Sequence, residues 1–261
     1  MINMVKMDLY KLYKSKCTWV ILGAFVAFIS MVFYTTNIAQ GEQAESVNEL
    51  RELITDYSIC SEFEFIITGD IIALFGCVFA LMYMHIDKKD GYIKNIWGCI
   101  AKKSDYLMSK MVIMAIYNLI LFVVAFTLSG AVSVIHEHKV EWGFSRNILI
   151  FTALQFMLSF ALECIAILIQ AVIGNMVASV AIVCGYLFLG AHMIYTVIDH
   201  LVEMVFKVEE FATEKYTLYG NLALVTTEAD VRLYTRALIV GCVFLLATYA
   251  ASVFRYRRME L

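Results

Sequence analysis

Five residues of this sequence could do chemistry inside a membrane, and their spacing brings them together. Thr152, Gln155, Ser159, Glu163 and Gln170 fall within an arc of about 80° on a wheel at 100° per residue, a polar stripe down an apolar run. A carboxylate at membrane depth costs several kcal/mol unless it is paired, protonated or wet, so Glu163 has to face a bundle interior or a partner subunit. The stripe reads as a wall of a substrate path or as interhelical glue, with Glu163 a neutral acid bonded to a neighbour. His192, Tyr195 and Asp199 recur at i, i+3 and i+7, a spacing that suits a proton relay or an interfacial belt of aromatics with polar tips. Glu163 with His192 would be the first pair to test for intramembrane catalysis. Asp70 lies near the positive end of a helix dipole, which is enough to explain an acid there.

Several activities are excluded by what is missing. His136, Glu137, His138 and Glu141 are compact, but HEHKVE lacks the two-histidine spacing of a helical zinc site; no metal site is expected. No Gly-Lys dipeptide occurs, so the chain has no phosphate-binding loop of the usual kind. Gly69-Asp70 is half of an intramembrane aspartyl protease motif, but Ile67 replaces its first glycine and no second buried aspartate is visible. The seven cysteines are scattered singly, which supports neither zinc nor a disulfide framework; of these Cys60 is expected outside the membrane. The chain is expected to be no enzyme.

The elements that position these residues follow from composition. Of 261 residues, 62% are hydrophobic and 16% charged, against about 45–50% and about 25% in soluble domains. This is an integral membrane protein. Nucleic acid binding has no support. Apolar runs at 18–36, 65–86, 111–134, 147–169, 176–198 and 236–254 give six expected spans, each near the roughly 20 residues that cross a bilayer. Backbone polar groups cannot stay unpaired in hydrocarbon, and the runs are too long for barrel strands, so an all-α bundle follows. Proline is absent, so no helix loses a donor to a pyrrolidine ring.

Orientation is read from the cations. The segments 1–16, 87–110 and 255–261 carry thirteen of the twenty lysines and arginines, which places them, and both termini, in the cytoplasm. The opposite loops are acidic. The loop 199–235 is long enough to hold an amphipathic helix, with Leu201, Met204, Val205, Val208 and Phe211 along one stripe; a shorter one is expected around Val47 to Ile54. Residues 1–16 form an interfacial helix with Ile2, Val5, Leu9, Leu12 and Tyr13 on the lipid side and Asp8, Lys11, Lys14 and Ser15 opposite. No convincing cleavage pattern follows the first span, which is kept as an uncut anchor.

The segment 87–110 holds six lysines. Tyr92, Ile93, Ile96, Trp97 and Ile100 recur on one helical face, and Asp90 is placed to cap the helix start. An aromatic anchor within a charged rim suits a docking surface for a partner.

The basic amphipathic N-terminus MINMVKMDLYKLYKSK, six spans, and DKKDGYIKN after the second span, ending at the lysine of YLMSK, resemble the permease subunits of ABC type-2 exporters. Among these the chain is most similar to bacterial permeases for antimicrobial peptides and lantibiotic immunity. The resemblance implies a bacterial plasma membrane location and a coupling helix from Gly91 to Ile100, with Asp90, Gly91, Tyr92, Ile93, Lys94, Ile96, Trp97 and Ile100 facing a separate ATPase that binds ATP and Mg. It also implies two permeases and two ATPases with a path between the permeases, for which Thr152, Gln155, Ser159, Glu163 and Gln170 are the candidates that the polar stripe offers. A membrane anchor or sensor without transport is the alternative, and an exporter of a lipid, drug or ion a further one.

Overall fold

The computed structural model describes residues 2–44, 59–68, 70–89, 91–92, 103–135, 144–206 and 212–258. Among the described residues the regular structure is helical throughout: α1 (Ile2–Lys14), α2 (Lys16–Ala44), α3 (Ile59–Thr68), α4 (Ile71–Lys89), α5 (Lys103–Ile135), α6 (Arg146–Ile173), α7 (Met176–Gly185), α8 (Ala191–Phe206), α9 (Leu218–Leu224) and α10 (Val231–Arg258). A π turn at Tyr186–Gly190 joins α7 to α8, and a 3₁₀ turn at Thr213–Tyr216 precedes α9. Among the described residues, five helices are long and apolar enough to cross a membrane, or six if α7 and α8 count as one bent span.

The bundle is built around α4 and α6. Their apolar stretches are 56% buried, against 28% for α2 and α10, so the first pair is central and the second peripheral. α6 runs between α4 and α10. Its start is capped by Ser145, whose side chain accepts from the Ile148 amide at 3.3 Å, and it ends at Gly174, whose amide donates to Gln170 O at 3.0 Å. Lys88 brings its ammonium to that carboxyl end of α6, where the helix dipole favours a cation.

Two apolar runs are interrupted where hydropathy alone reads them as continuous. The run 65–86 divides between α3 and α4, with Asp70 between them at a left-handed φ of 56°; its carbonyl accepts from the Leu74 amide at 3.0 Å at the amide-rich start of α4. The run 176–198 bends by 67° between its α7 and α8 portions. With about 1.5 Å of rise per residue, the ten residues of α7 cover about half of a bilayer core of about 30 Å. No proline causes this bend; it coincides with the π turn, a known source of kinks. Leu201, Met204 and Val205 consequently continue α8 itself. Val47 to Ile54, Val208 and Phe211 lie outside the described residues.

Candidate functional site

α1 reaches the bundle through its polar face. Asp8 and Leu12 are its buried residues, whereas Ile2, Leu9 and Tyr13 are exposed. Asp8 and Lys11 thus point into protein, not to the water side assigned from the helical wheel. The reason is the company they find there. Lys110, one turn into the buried part of α5, places its Nζ 2.6 Å from Asp8 Oδ1 and 2.5 Å from Asp87 Oδ2 at the end of α4. Lys11 pairs with the other oxygen of Asp87.

Three hydroxyls add hydrogen bonds to the same two acids. Ser109 donates to Asp8 Oδ2 at 2.5 Å, Tyr106 to Asp87 Oδ2 at 3.0 Å, and Tyr83 to the Asp8 carbonyl at 3.1 Å. Tyrosine faces surround the cations: Lys110 Nζ lies 4.9, 5.3 and 5.0 Å from the ring centres of Tyr83, Tyr92 and Tyr106, and Lys11 Nζ 5.2 and 4.8 Å from those of Tyr83 and Tyr92. Ammonium groups are attracted to such faces, more so when desolvated. Burial and the Asp8 carboxylate push the Tyr92 phenol up to about 12. Two carboxylates and two ammoniums balance here, which is what burying charge requires.

This joint grips both roots of the segment assigned to coupling. Upstream, Gly91 lies just past the end of α4 at φ 68°, a value glycine adopts without strain, and its amide donates to Lys88 O at 3.3 Å. Tyr92 then turns back under Lys11 and Lys110. Downstream, α5 begins at Lys103, before the apolar run itself, so Lys110 is helical rather than part of a loop. Asp90, Ile93, Lys94, Ile96, Trp97 and Ile100 lie outside the described residues.

The polar stripe of α6 faces protein along its length but divides in two. Thr152 donates to its own helix at Ile148 O, 2.7 Å. Gln155 donates to Leu222 O and Val225 O at 2.8 and 3.3 Å, which ties α9 to α6. Ser159 accepts from Asn118 of α5 at 2.9 Å and donates to Phe156 O at 3.0 Å. Below these the pattern changes. Glu163 is 1% exposed, neither oxygen has a hydrogen-bond partner among the described residues, and its carboxyl fills the notch left by Gly76 of α4, where a Cβ would overlap Oε1. The Gln170 amide is buried without a partner as well. Gln155 and Ser159 therefore join helices, while Glu163 and Gln170 keep unused bonding capacity inside the bundle.

At the opposite end of the bundle, the acids serve as ties. Glu64 accepts from the Thr227 amide and hydroxyl at 2.8 and 2.7 Å, and Asp199 accepts from the Thr213 amide at 2.7 Å. Tyr195 meets Tyr186 hydroxyl to hydroxyl at 2.7 Å. Tyr195 and Asp199 thus serve different neighbours and do not form a relay with each other; the His192 side chain is outside the description. Burial, then Asp70, pushes the Tyr219 phenol up to about 12. Cys60, placed outside the membrane from sequence, is buried at the start of α3. His136, Glu137, His138 and Glu141 lie outside the described residues. Among those described, no group of three or more His, Cys, Asp or Glu is placed to hold a metal.

Sequence reasoning missed Asp8, Asp87 and Lys110 as partners. One signal was available: Asp8 is the sole acid in residues 1–16. The family model described as ABC-2 family transporter protein matches residues 4–190, a stretch that contains the joint, both roots of the segment and the whole of α6. No curated protein and no solved structure matches. The chain is a multi-pass membrane protein that belongs to the ABC-2 transporter family.

Proposed function

We propose that this chain is the membrane-spanning permease of an ATP-driven exporter in a bacterial plasma membrane, working as a permease dimer with two separate cytoplasmic ATPases that bind ATP and Mg. The observation that carries the reading is the joint: the two roots of the segment between Tyr92 and Lys103 are held to α1 and to each other by buried charges. A segment held at both roots passes a push from a partner into α4 and α5 without dissipating it. The joint lies on the cytoplasmic side, in keeping with the lysine and arginine distribution. Trp97 and Ile96 dock the ATPase. The cargo is an amphipathic or apolar peptide, drawn to the acidic outer loops when it is cationic, and it passes between permeases.

Affinity purification of the tagged chain in mild detergent, with mass spectrometry of what accompanies it, tests this. An ATPase should co-purify and should be lost in Trp97→Ala with Ile96→Ala while insertion is unaffected. Unchanged co-purification and unchanged stimulated ATP turnover in that variant would sink the docking role. A chain that stays dimeric yet brings no ATPase would favour a membrane anchor or sensor.

A further inference from the structure

Lys110 bridges carboxylates from two other helices, and one of those helices supplies the second cation as well. We infer that Asp8, Lys11, Asp87 and Lys110 form a charge-balanced lock that makes α1 and both roots of the coupling segment one rigid body, so that α1 moves with that segment during transport. The inference rests on the exporter reading and adds α1 to the moving parts.

Three observations support it. First, α1 contributes little apolar burial of its own, because Leu12 is its one fully buried apolar side chain. Its attachment depends on the charged face. Second, the lock closes on itself: Asp8 and Lys11 come from α1, Asp87 from the upstream root and Lys110 from the downstream root. Pulling α1 away would leave Lys110 and Asp87 with one partner fewer in a site where both are wholly buried, and an unpaired buried charge is strongly penalised. Partial slippage is therefore disfavoured, and α1 stays or leaves as a unit. Third, Ser109 donates to the Asp8 carboxylate and Tyr106 to that of Asp87, which helps to fix the orientation of both, while Tyr83 holds the Asp8 backbone carbonyl. Asp8 and Lys110 are positioning residues in this scheme.

Hydrogen exchange of the full chain, measured with its co-purified ATPase, tests the lock. Asp8→Asn should speed exchange of the amides in residues 2–14 by roughly tenfold or more, the factor that about 1.4 kcal/mol of lost local stability gives. Exchange in residues 146–173 should stay as it was, and permease-stimulated ATP turnover should fall. Asp8→Asn with Lys11→Gln removes both ion pairs of α1 and leaves only Lys110 with Asp87, and should speed exchange in residues 2–14 at least as much as Asp8→Asn while exchange in residues 146–173 stays as it was. Unchanged α1 exchange in Asp8→Asn overturns the lock, and so does a released α1 with full stimulated turnover. Should Asp8→Asn fail to accumulate, Lys11→Gln removes the partly exposed member and is read the same way. If the unaltered chain brings down no ATPase, the exporter reading fails instead, while the exchange result still reports on the lock.

Discussion

The joint at α1 and the lower half of the α6 stripe both bury ionisable groups, in opposite ways. At the joint, Lys110 lies within 2.6 Å of carboxylates from two helices and under three tyrosine rings. In the stripe, Glu163 lies against the bare backbone of Gly76 with no donor on either oxygen among the described residues. The difference lies in what each group holds. Charges matched across three helices define positions and orientations, because every pair has a preferred distance and direction. An unmatched carboxyl defines only a volume. Substitutions should therefore behave differently in the two places.

The largest effect is expected from Lys110→Met. It leaves Asp8 and Asp87 facing each other with Lys11 as the remaining cation, and breaking a buried pair from one side costs roughly 3–5 kcal/mol. The thermal midpoint of the purified chain should drop accordingly, with α1 the first region to become protease-sensitive. A cost no greater than that of Glu163→Gln would erase the contrast. Next comes Gly76→Ala, which drives a methyl into the space of the Glu163 carboxyl; overpacking of this kind costs about 1–3 kcal/mol. Glu163→Ala in the same chain should relieve it. The double variant should then be more stable than the two single costs added together predict, and strict additivity would mean that Glu163 does not fill that notch.

How far the sequence reveals these two regions depends on the reach of the interactions. The α6 stripe is local, since its period lies within one helix, and a wheel finds all five members and their inward direction. What the wheel cannot show is that Gln155 reaches backbone acceptors 67 and 70 residues away, which makes the upper half a tie. The joint is entirely non-local: Asp8 meets Lys110 across 102 positions and Lys11 meets Asp87 across 76. Seen alone, Asp8 and Lys11 are polar residues on the face of a helix away from its apolar residues, and water is the natural assignment. Hydropathy likewise locates the spans but misses breaks caused by backbone conformation, at Asp70 and at the π turn, because the side chains on either side remain apolar.

A smaller effect should follow Gln155→Leu. It removes two donations to the outer segment, and each hydrogen bond contributes about 1 kcal/mol net; two carbonyls near α9 also lose a donor. The loosened region should be local, with faster proteolysis in residues 207–230 and an unchanged α1. Release of α1 in this variant would mean that the stripe and the joint are mechanically one unit.

The smallest change in stability belongs to Glu163→Gln. The amide nearly matches the carboxyl in shape, still fills the notch beside Gly76, and removes no hydrogen bond or ion pair described for Glu163. The thermal midpoint should move by no more than the equivalent of about 1 kcal/mol, within the range of volume-conserving swaps. Because folding is hardly affected, transport measured in this variant reports on function alone. Altered transport with intact assembly would place the lower stripe on the route of the cargo or in the motion that opens it. Undiminished transport in both Glu163→Gln and Glu163→Ala would leave Glu163 as a filler of space between α4 and α6, and the comparison would reduce to one working region, the joint.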